Sequence, residues 1–330
     1  MRAVSSMIIV LMALIVALLP ARAGAGTRIR SADGGDLVRE TVRKASRLQQ
    51  AGQTDEAISV VSKAVDEAEG NHQAQRLRTI EVNLRLRRVL EAGKGQKELV
   101  KTVDTLLDNS AGVDREKAHL FCARVNARIG RYQRSKALLN QYLEEFPEPS
   151  QRELRQFRQT ARKRRGASAG GQMTHPRLLY RYWATQVLWK VSLVGEPVPD
   201  FRLTTLDGQT VTPESFKGDV LLINVWKSAS PPSTHALRGL DELYRARESD
   251  DLAVLGLSLD RTEAALRSFL KKNELPWPQV YVGDKRQEIT DRFFVQTIPS
   301  TYLVDREGIL RGVDLRGTVL RHKLEQILSR

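Results

Sequence analysis

Residues 219–234 read DVLLINVWKSASPPST, and this stretch decides the fold of the C-terminal part of the chain. The apolar run that ends at Trp226 has no polar alternation, which predicts a central strand covered on both faces. Ser230 precedes Pro231, and serine is a favoured N-cap while proline suits the first helical position. The stretch therefore predicts a strand, a short turn and a helix, with Ser230 and Ser233 at the turn.

The sequence from 195 to 330 continues with alternating strand and helix patterns. FRLTTLDGQTVT contains the hairpin signal Asp207-Gly208, and LAVLGLSLD indicates a second buried strand. A helix is indicated by the spacing in TEAALRSFLKK. Two strands around a turn are indicated by STYLVDREGILRGVDL, and a closing helix by VLRHKLEQIL. Strand–helix units followed by a hairpin and a helix predict an α/β sandwich.

These segments carry a family resemblance. GEPVPDFRLTTLDGQTVT, DVLLINVW, SPPS, LAVLGLSLD and IPSTYLVDREG, in this order, resemble the thioredoxin-like superfamily. The most similar branch is that of the peroxiredoxin-type and extracytoplasmic thiol–disulfide oxidoreductases. In that family a strand ending in Trp leads to Cys-x-x-Cys at a helix start, opposite a cis-proline. The resemblance places the redox pair at Ser230 and Ser233 and the cis-proline at Pro299, after Ile298.

Two hydroxyls at these positions change the chemistry that the resemblance implies. A helix N-terminus can lower a cysteine pKa enough to give a thiolate at neutral pH, but an alcohol starts many units higher. No oxygen can form the mixed disulfide of thiol–disulfide exchange, and no oxygen can replace the sulfenic acid of a peroxidase. We therefore expect no catalytic residue at Ser230 or Ser233, and no cofactor.

Other chemistries at this turn have weaker support. A serine nucleophile activated by His235 is an alternative, but the sequence has no Gly-x-Ser-x-Gly elbow or oxyanion motif. The five histidines are scattered singly, so we expect no metal site. They are His72, His119, His175, His235 and His322.

The surface around the turn does not depend on sulfur and could still bind a peptide. In the family, the loop before the cis-proline pairs with an extended peptide through backbone hydrogen bonds. The resemblance makes five residues candidates for an apolar peptide slot. They are Trp226, Pro231, Pro232, Ile298 and Pro299. The alternative is that the turn is a relic and the domain only contributes bulk.

Residues 36–149 have helical periodicity and no strand-like alternation. Gly52 precedes an Ala57, Val61, Ala64 pattern, and similar segments follow Gly93 and Gly130. The spacing of these glycines is close to the tetratricopeptide period of about 34 residues, and the region resembles such repeats. Stacked helix pairs commonly bind proteins, whereas a plain helical bundle is the alternative. Cys122, the single cysteine, lies within a helical segment, and a buried inert thiol is the expected state.

Residues 150–194 are predicted to form a basic linker and a docking helix. The linker basic residues are Arg152, Arg155, Arg158, Arg162, Lys163, Arg164 and Arg165. These residues either belong to a solvated connector, or they bind a polyanion such as anionic lipid. No aromatic residues alternate with them as in single-strand nucleic-acid binders, so nucleic acid is not favoured. The stretch PRLLYRYWATQVLWKVSL is expected to dock on the last domain, with membrane contact as the alternative.

The N-terminus resembles an export signal. Arg2 precedes a 13-residue apolar run, and A-x-A cleavage sites follow within residues 1–25. An uncleaved anchor is the alternative, and either gives a periplasmic or other extracytoplasmic location. The net charge of +14 favours anionic partners.

Together these features predict a multidomain, exported protein: an all-α tetratricopeptide-like region followed by a thioredoxin-like α/β domain without redox activity. Such a protein would act as a peptide- or protein-binding scaffold or adaptor in the cell envelope. The alternative, implied by the resemblance, is a thiol–disulfide oxidoreductase or a peroxiredoxin-type antioxidant enzyme.

Overall fold

A computed structural model describes residues 34–68, 71–165, 175–246 and 252–329. The predicted export signal lies outside the described residues, as does the Gly/Ala/Ser tract at 166–174. Within the described ranges, no helix is both long and apolar enough to cross a bilayer.

The N-terminal part of the structure is helical. Its helices are α1 (Gly34–Gln50), α2 (Thr54–Glu67), α3 (Asn71–Ala92), α4 (Gln96–Asp108), α5 (Gly112–Arg128) and α6 (Tyr132–Glu145). Each packs against the next along the chain. Gly52, Gly93 and Gly130 lie within two residues of the ends of α1, α3 and α5, with φ of 78°, 67° and 77°. Glycine adopts this left-handed conformation without steric cost, so the three predicted turns are confirmed and the region is consistent with a helical repeat.

Two further helices connect this region to the C-terminal domain. Helix α7 (Gln151–Arg165) begins with a capping box, in which the Ser150 N–H donates to Glu153 Oε2 at 2.8 Å and the Glu153 N–H donates to Ser150 Oγ at 3.3 Å. Helix α8 (Pro176–Ser192) packs against α6 and α5, and its Lys190 reaches into the C-terminal domain. The predicted docking of this segment on the last domain thus has a specific polar contact.

The C-terminal domain is built on a five-stranded sheet of order β5-β4-β3-β6-β7. Its strands are β3 (Val220–Trp226), β4 (Leu252–Ser258), β5 (Gln279–Tyr281), β6 (Ser300–Val304) and β7 (Leu310–Val313), preceded by the hairpin β1 (Leu203–Thr204) and β2 (Thr210–Val211). Strand β3 pairs in parallel with β4 and antiparallel with β6. Every residue of β3 is buried, as its largely apolar sequence predicts.

Four α-helices cover this sheet. They are α9 (Pro231–Arg245), α10 (Glu263–Leu270), α11 (Arg286–Arg292) and α12 (Gly317–Leu328). The order of strands and helices is the predicted one, including the helix that starts directly after Ser230.

The helical region and the C-terminal domain share one buried apolar cluster, which the sequence did not indicate. The Tyr132 hydroxyl donates to the Val313 carbonyl at 3.2 Å and accepts from its N–H at 2.9 Å. Thr318 Oγ1 donates to the Val89 carbonyl at 2.6 Å. A second, smaller cluster fills the space between α1, α2 and α3. The end of the helical region is therefore fixed to the sheet domain.

The two regions also approach each other closely at Gly317, which has φ of 55°. A Cβ there would overlap the Leu90 carbonyl oxygen of α3. We expect Gly317→Ala to lower the free energy of unfolding by more than the roughly 1–2 kcal/mol cost of a left-handed alanine. Gly308→Ala is the matched control, because Gly308 has φ of 82° and open space around its Cβ position. Equal losses in urea unfolding of the two variants would contradict a tight junction.

A buried ion pair adds an electrostatic part to the junction. Lys190 is 4% exposed, and its Nζ lies 2.8 Å from Asp314 Oδ2 and donates to Ser300 Oγ at 2.5 Å. Burial alone would raise the pKa of Asp314, but the Lys190 ammonium and the Ser300 hydroxyl outweigh it and hold that pKa below its ordinary value.

Because the folded-state pKa of Asp314 is depressed, its stabilisation is present above the ordinary carboxyl pKa and is lost as the pH falls through the lower, folded-state value. We expect Asp314→Asn to lower stability by about 1–3 kcal/mol at pH 7 and to flatten the acid limb of the stability profile. Urea unfolding from pH 2 to 7 measures both effects. The exposed Asp200 gives the control Asp200→Asn, and the same flattening there would refute the assignment.

Candidate functional site

The turn that carries Ser230 lies beside the Ile298–Pro299 peptide bond. Val225 of β3 pairs with Ser300 of β6. The residues that follow Val225 and those that precede Ser300 are therefore at the same edge of the sheet. The Ile298–Pro299 bond is cis, as predicted from the resemblance.

Ser230 occupies the predicted N-cap position of α9, but its hydroxyl makes no capping hydrogen bond. Its carbonyl accepts from the N–H groups of Ser233 at 2.9 Å and Thr234 at 3.0 Å. The Ser230 side chain is partly exposed, and Pro231 and Pro232 are exposed at the first helical positions. A group at position 230 is thus reachable from solvent.

Ser233 has a different environment. It is 0% exposed, and its Oγ has no hydrogen-bond partner among the described residues. A buried hydroxyl without a partner costs about 1–3 kcal/mol, whereas a thiol is a much weaker donor and acceptor. The pocket around position 233 therefore suits the weakly polar side chain of a cysteine better than that of a serine.

A buried carboxylate fixes the approach to the turn. Asp260, 1% exposed, accepts from Ser228 Oγ at 2.7 Å, from the Ser228 N–H at 3.1 Å and from Ser258 Oγ at 2.8 Å. These bonds join the segment before Ser230 to the end of β4. Asp260 was not among the residues predicted from the sequence, although an aspartate two residues after a buried strand was a usable signal.

Trp226 does not line the predicted slot. Its side chain is 0% exposed, its Nε1–H donates to Gln279 Oε1 at 3.1 Å, and its ring lies 5.3 Å from that of Phe269. An indole at the end of a strand covered on both faces is buried by the helices that cover the sheet. Pro299 is also buried. Neither residue therefore presents an exposed side chain at the predicted slot.

The accessible apolar surface is formed by other side chains. Ile298 is half-buried, and Pro231 and Pro232 are exposed. Trp189 of α8 is 48% exposed, and its ring centroid lies 5.5 Å from that of Phe294, in the segment between α11 and Pro299. The sequence pattern predicted docking for α8 but did not indicate this contribution of Trp189.

The backbone of the loop before Pro299 is also unpaired. No hydrogen bond joins the N–H or C=O groups of Thr297 or Ile298 to another described residue. Main-chain groups in native proteins are nearly always paired, with protein, water or ligand. Among the described residues, the main-chain groups of this two-residue segment therefore have no protein partner.

The other candidate chemistries gain no geometric support. His235 is exposed on α9, and no hydrogen bond joins it to Ser230 or Ser233 in the described structure. Across the described ranges, no three His, Cys, Asp or Glu side chains are grouped as metal ligands. Of the linker basic residues, Arg152 and Arg155 are exposed, and the side chains of the others are outside the described set.

The single cysteine is remote from this chemistry. Cys122 lies in α5, is 0% exposed and contacts the Val103 carbonyl at 3.5 Å. Burial, with a smaller contribution from the charge of Asp104, raises the pKa of the thiol to about 12. The prediction of a buried thiol is confirmed.

Comparison with known proteins agrees with this geometry. Residues 194–313 match the AhpC/TSA family model. The thiol-disulfide oxidoreductase ResA of Bacillus thuringiensis subsp. konkukian is 26% identical over 137 residues, covering 42% of this chain and 78% of the relative. The thioredoxin-like protein YneN of Bacillus subtilis is 28% identical over 138 residues, covering 41% of this chain and 78% of the relative.

Solved structures cover a similar share of the chain. A thiol-disulfide oxidoreductase from Bacteroides fragilis is 29% identical, with 40% of this chain and 98% of that chain covered and a TM-score of 0.37. The thioredoxin domain of a thiol-disulfide oxidoreductase from Bacteroides vulgatus is 25% identical, with 40% and 96% covered and a TM-score of 0.38. The C-terminal domain of this chain is a thioredoxin-like domain of the AhpC/TSA family, with thiol-disulfide oxidoreductases among its relatives.

Proposed function

We propose that this chain is an exported binding protein in which a redox-inactive thioredoxin-like domain and a helical repeat region hold extended peptides or partner proteins. The observation that carries the proposal is the pair of hydroxyls at Ser230 and Ser233 on an otherwise complete frame. The cis peptide, the buried β3 strand and the helix start are all present. Only the two sulfur atoms that the exchange reaction needs are missing.

The remaining thiol does not replace them. Thiol–disulfide exchange requires a thiolate that reaches a disulfide sulfur. Cys122 is enclosed in the helical region, and the raised pKa keeps its thiol protonated at neutral pH. The oxidoreductase activity named for the relatives is the alternative function, and this chain has no residue to perform it by that chemistry.

Peptide binding is supported by two properties of the same loop. The unpaired main-chain groups of Thr297 and Ile298 offer hydrogen bonds to an extended chain, and such bonds give affinity without sequence specificity. Ile298 and the exposed prolines offer apolar contacts beside them. Neither property depends on sulfur, so the binding part of the family's chemistry survives the substitution.

The helical region supports a scaffold role. Stacked helix pairs form extended surfaces that commonly hold protein partners, and the pairs α1/α2, α3/α4 and α5/α6 are present. The apolar N-terminal run supports export to the cell envelope, and the net charge of +14 supports anionic partners there.

Redox inactivity has a direct test in a Cys122→Ala background, which removes the buried thiol. We expect the unaltered turn to give no insulin reduction and no peroxide consumption. Ser230→Cys with Ser233→Cys should restore disulfide exchange, because position 230 is reachable and the pocket at 233 accepts a thiol. The single variant Ser230→Cys is the control and should lack the intramolecular disulfide.

Turnover by the chain with both serines would overturn the proposal. Failure of the double variant to form a disulfide between positions 230 and 233 would show that the frame around the turn is not intact.

Peptide binding is tested with reduced, carboxymethylated α-lactalbumin, a permanently unfolded polypeptide. We expect saturable binding by the full chain, weakened about tenfold or more by Ile298→Asp, since a charge in an apolar contact leaves a desolvated group unpaired. Ile309→Asp is the matched control, a half-buried isoleucine in the β6–β7 turn. No binding by the unaltered chain, or equal weakening by both variants, would favour a relic domain that only contributes bulk.

A further inference from the structure

A small cavity lies where the helical region meets the loop before the cis-proline. Its volume is about 40 Å³. Helix α5 contributes Arg124 and Arg128, α8 contributes Lys190, and the C-terminal domain contributes Gln296, Asp314 and Arg316. Such a volume accommodates about three water molecules or a single small oxyanion group.

The charges that line this cavity do not balance. Lys190 and Asp314 neutralise each other as an ion pair. Arg124 and Arg128 form neither an ion pair nor a hydrogen bond with any described residue, and Arg316 donates only to the Pro299 carbonyl. Three guanidinium groups therefore surround the cavity without a carboxylate of their own.

The helix geometry places two of these groups together. Arg124 and Arg128 are four residues apart on α5 and so lie on the same face of that helix. Burial, together with the neighbouring charges of Arg124 and Arg316, lowers the pKa of Arg128 to about 10. Burial also lowers the pKa of Arg124 and of Arg316, although Asp314 opposes both shifts. Like charges that are desolvated together destabilise the protein unless a counter-charge is present.

A second observation concerns Gln296, which also lines the cavity. Gln296 Nε2 is buried and has no hydrogen-bond partner among the described residues. An amide N–H₂ is a donor only, so the atom that would satisfy it is an acceptor. Guanidinium groups and an amide donor form the donor set that binds a carboxylate or phosphate oxygen.

We propose that this cavity binds one oxyanion group, a carboxylate or a phosphate, between Arg124, Arg128 and Arg316, with Gln296 as an additional donor. The site is distinct from the Ser230 turn and does not depend on peptide binding there. Its ligand is either a free small anion or an anionic group of a larger partner that reaches the loop 296–299.

The test uses inorganic phosphate and acetate as probes on the full chain at pH 7, with chloride solutions of matched ionic strength as the reference. Calorimetry and thermal unfolding should show saturable binding and a higher midpoint with at least one probe. Phosphate alone would identify a phosphate site, and binding of both would identify a site that also accepts carboxylates. Absence of a saturable effect with both probes would overturn the proposal.

Variants then locate the binding. Arg128→Gln keeps length and hydrogen-bonding capacity but removes the charge, and should weaken binding about tenfold or more. Gln296→Ala should weaken it less and leaves every charge in place. The control is Arg134→Gln, an arginine of α6 that pairs with Asp104 at the surface. Binding of carboxymethylated α-lactalbumin is measured on the same variants, so failure of peptide binding and failure of the anion site are separable. Equal affinity in Arg128→Gln and Arg134→Gln would refute this location.

Discussion

The burial of β3 on both faces is the constraint on which the site depends. Hydrogen bonds to β4 on one side and to β6 on the other fix the position of Trp226. The next turn of chain, which carries Ser230, must then emerge beside the start of β6, where the cis peptide lies. Asp260 completes the constraint by joining Ser228 to the end of β4. The geometry of the turn therefore follows from the sheet and not from the residue types at 230 and 233, which is why hydroxyls are tolerated there.

Much of this arrangement could be predicted from local sequence. The apolar run before Trp226, the proline pair after Ser230 and the glycines at 52, 93 and 130 each encode a backbone conformation through steric or solvation effects that involve neighbouring residues. The family resemblance added the cis-proline, which no local pattern would have indicated. For these features the prediction and the structure agree.

Other features depend on contacts between residues far apart in the chain, and local patterns do not contain them. The burial of Trp226 follows from its packing against Phe269 and its hydrogen bond to Gln279. The shared core follows from contacts such as that of Tyr132 with Val313. A tryptophan at the end of a strand has the same local sequence whether it faces a groove or a helix. Its place in the slot was therefore wrongly predicted, because local sequence does not show what packs on the indole.

The position of the helical region creates the cavity of the proposed anion site. Helices α5 and α8 pack on the side of the loop 296–299 that faces Asp314, and they place cationic groups there. The other accessible parts of that loop are apolar or have unpaired main-chain groups. Thiol–disulfide exchange needs neither a cationic cavity nor a docked helical region, whereas recognition of a partner with an anionic group next to an extended apolar segment uses both. Three guanidinium groups beside a single ion-paired carboxylate are the observation on which the proposed anion site rests.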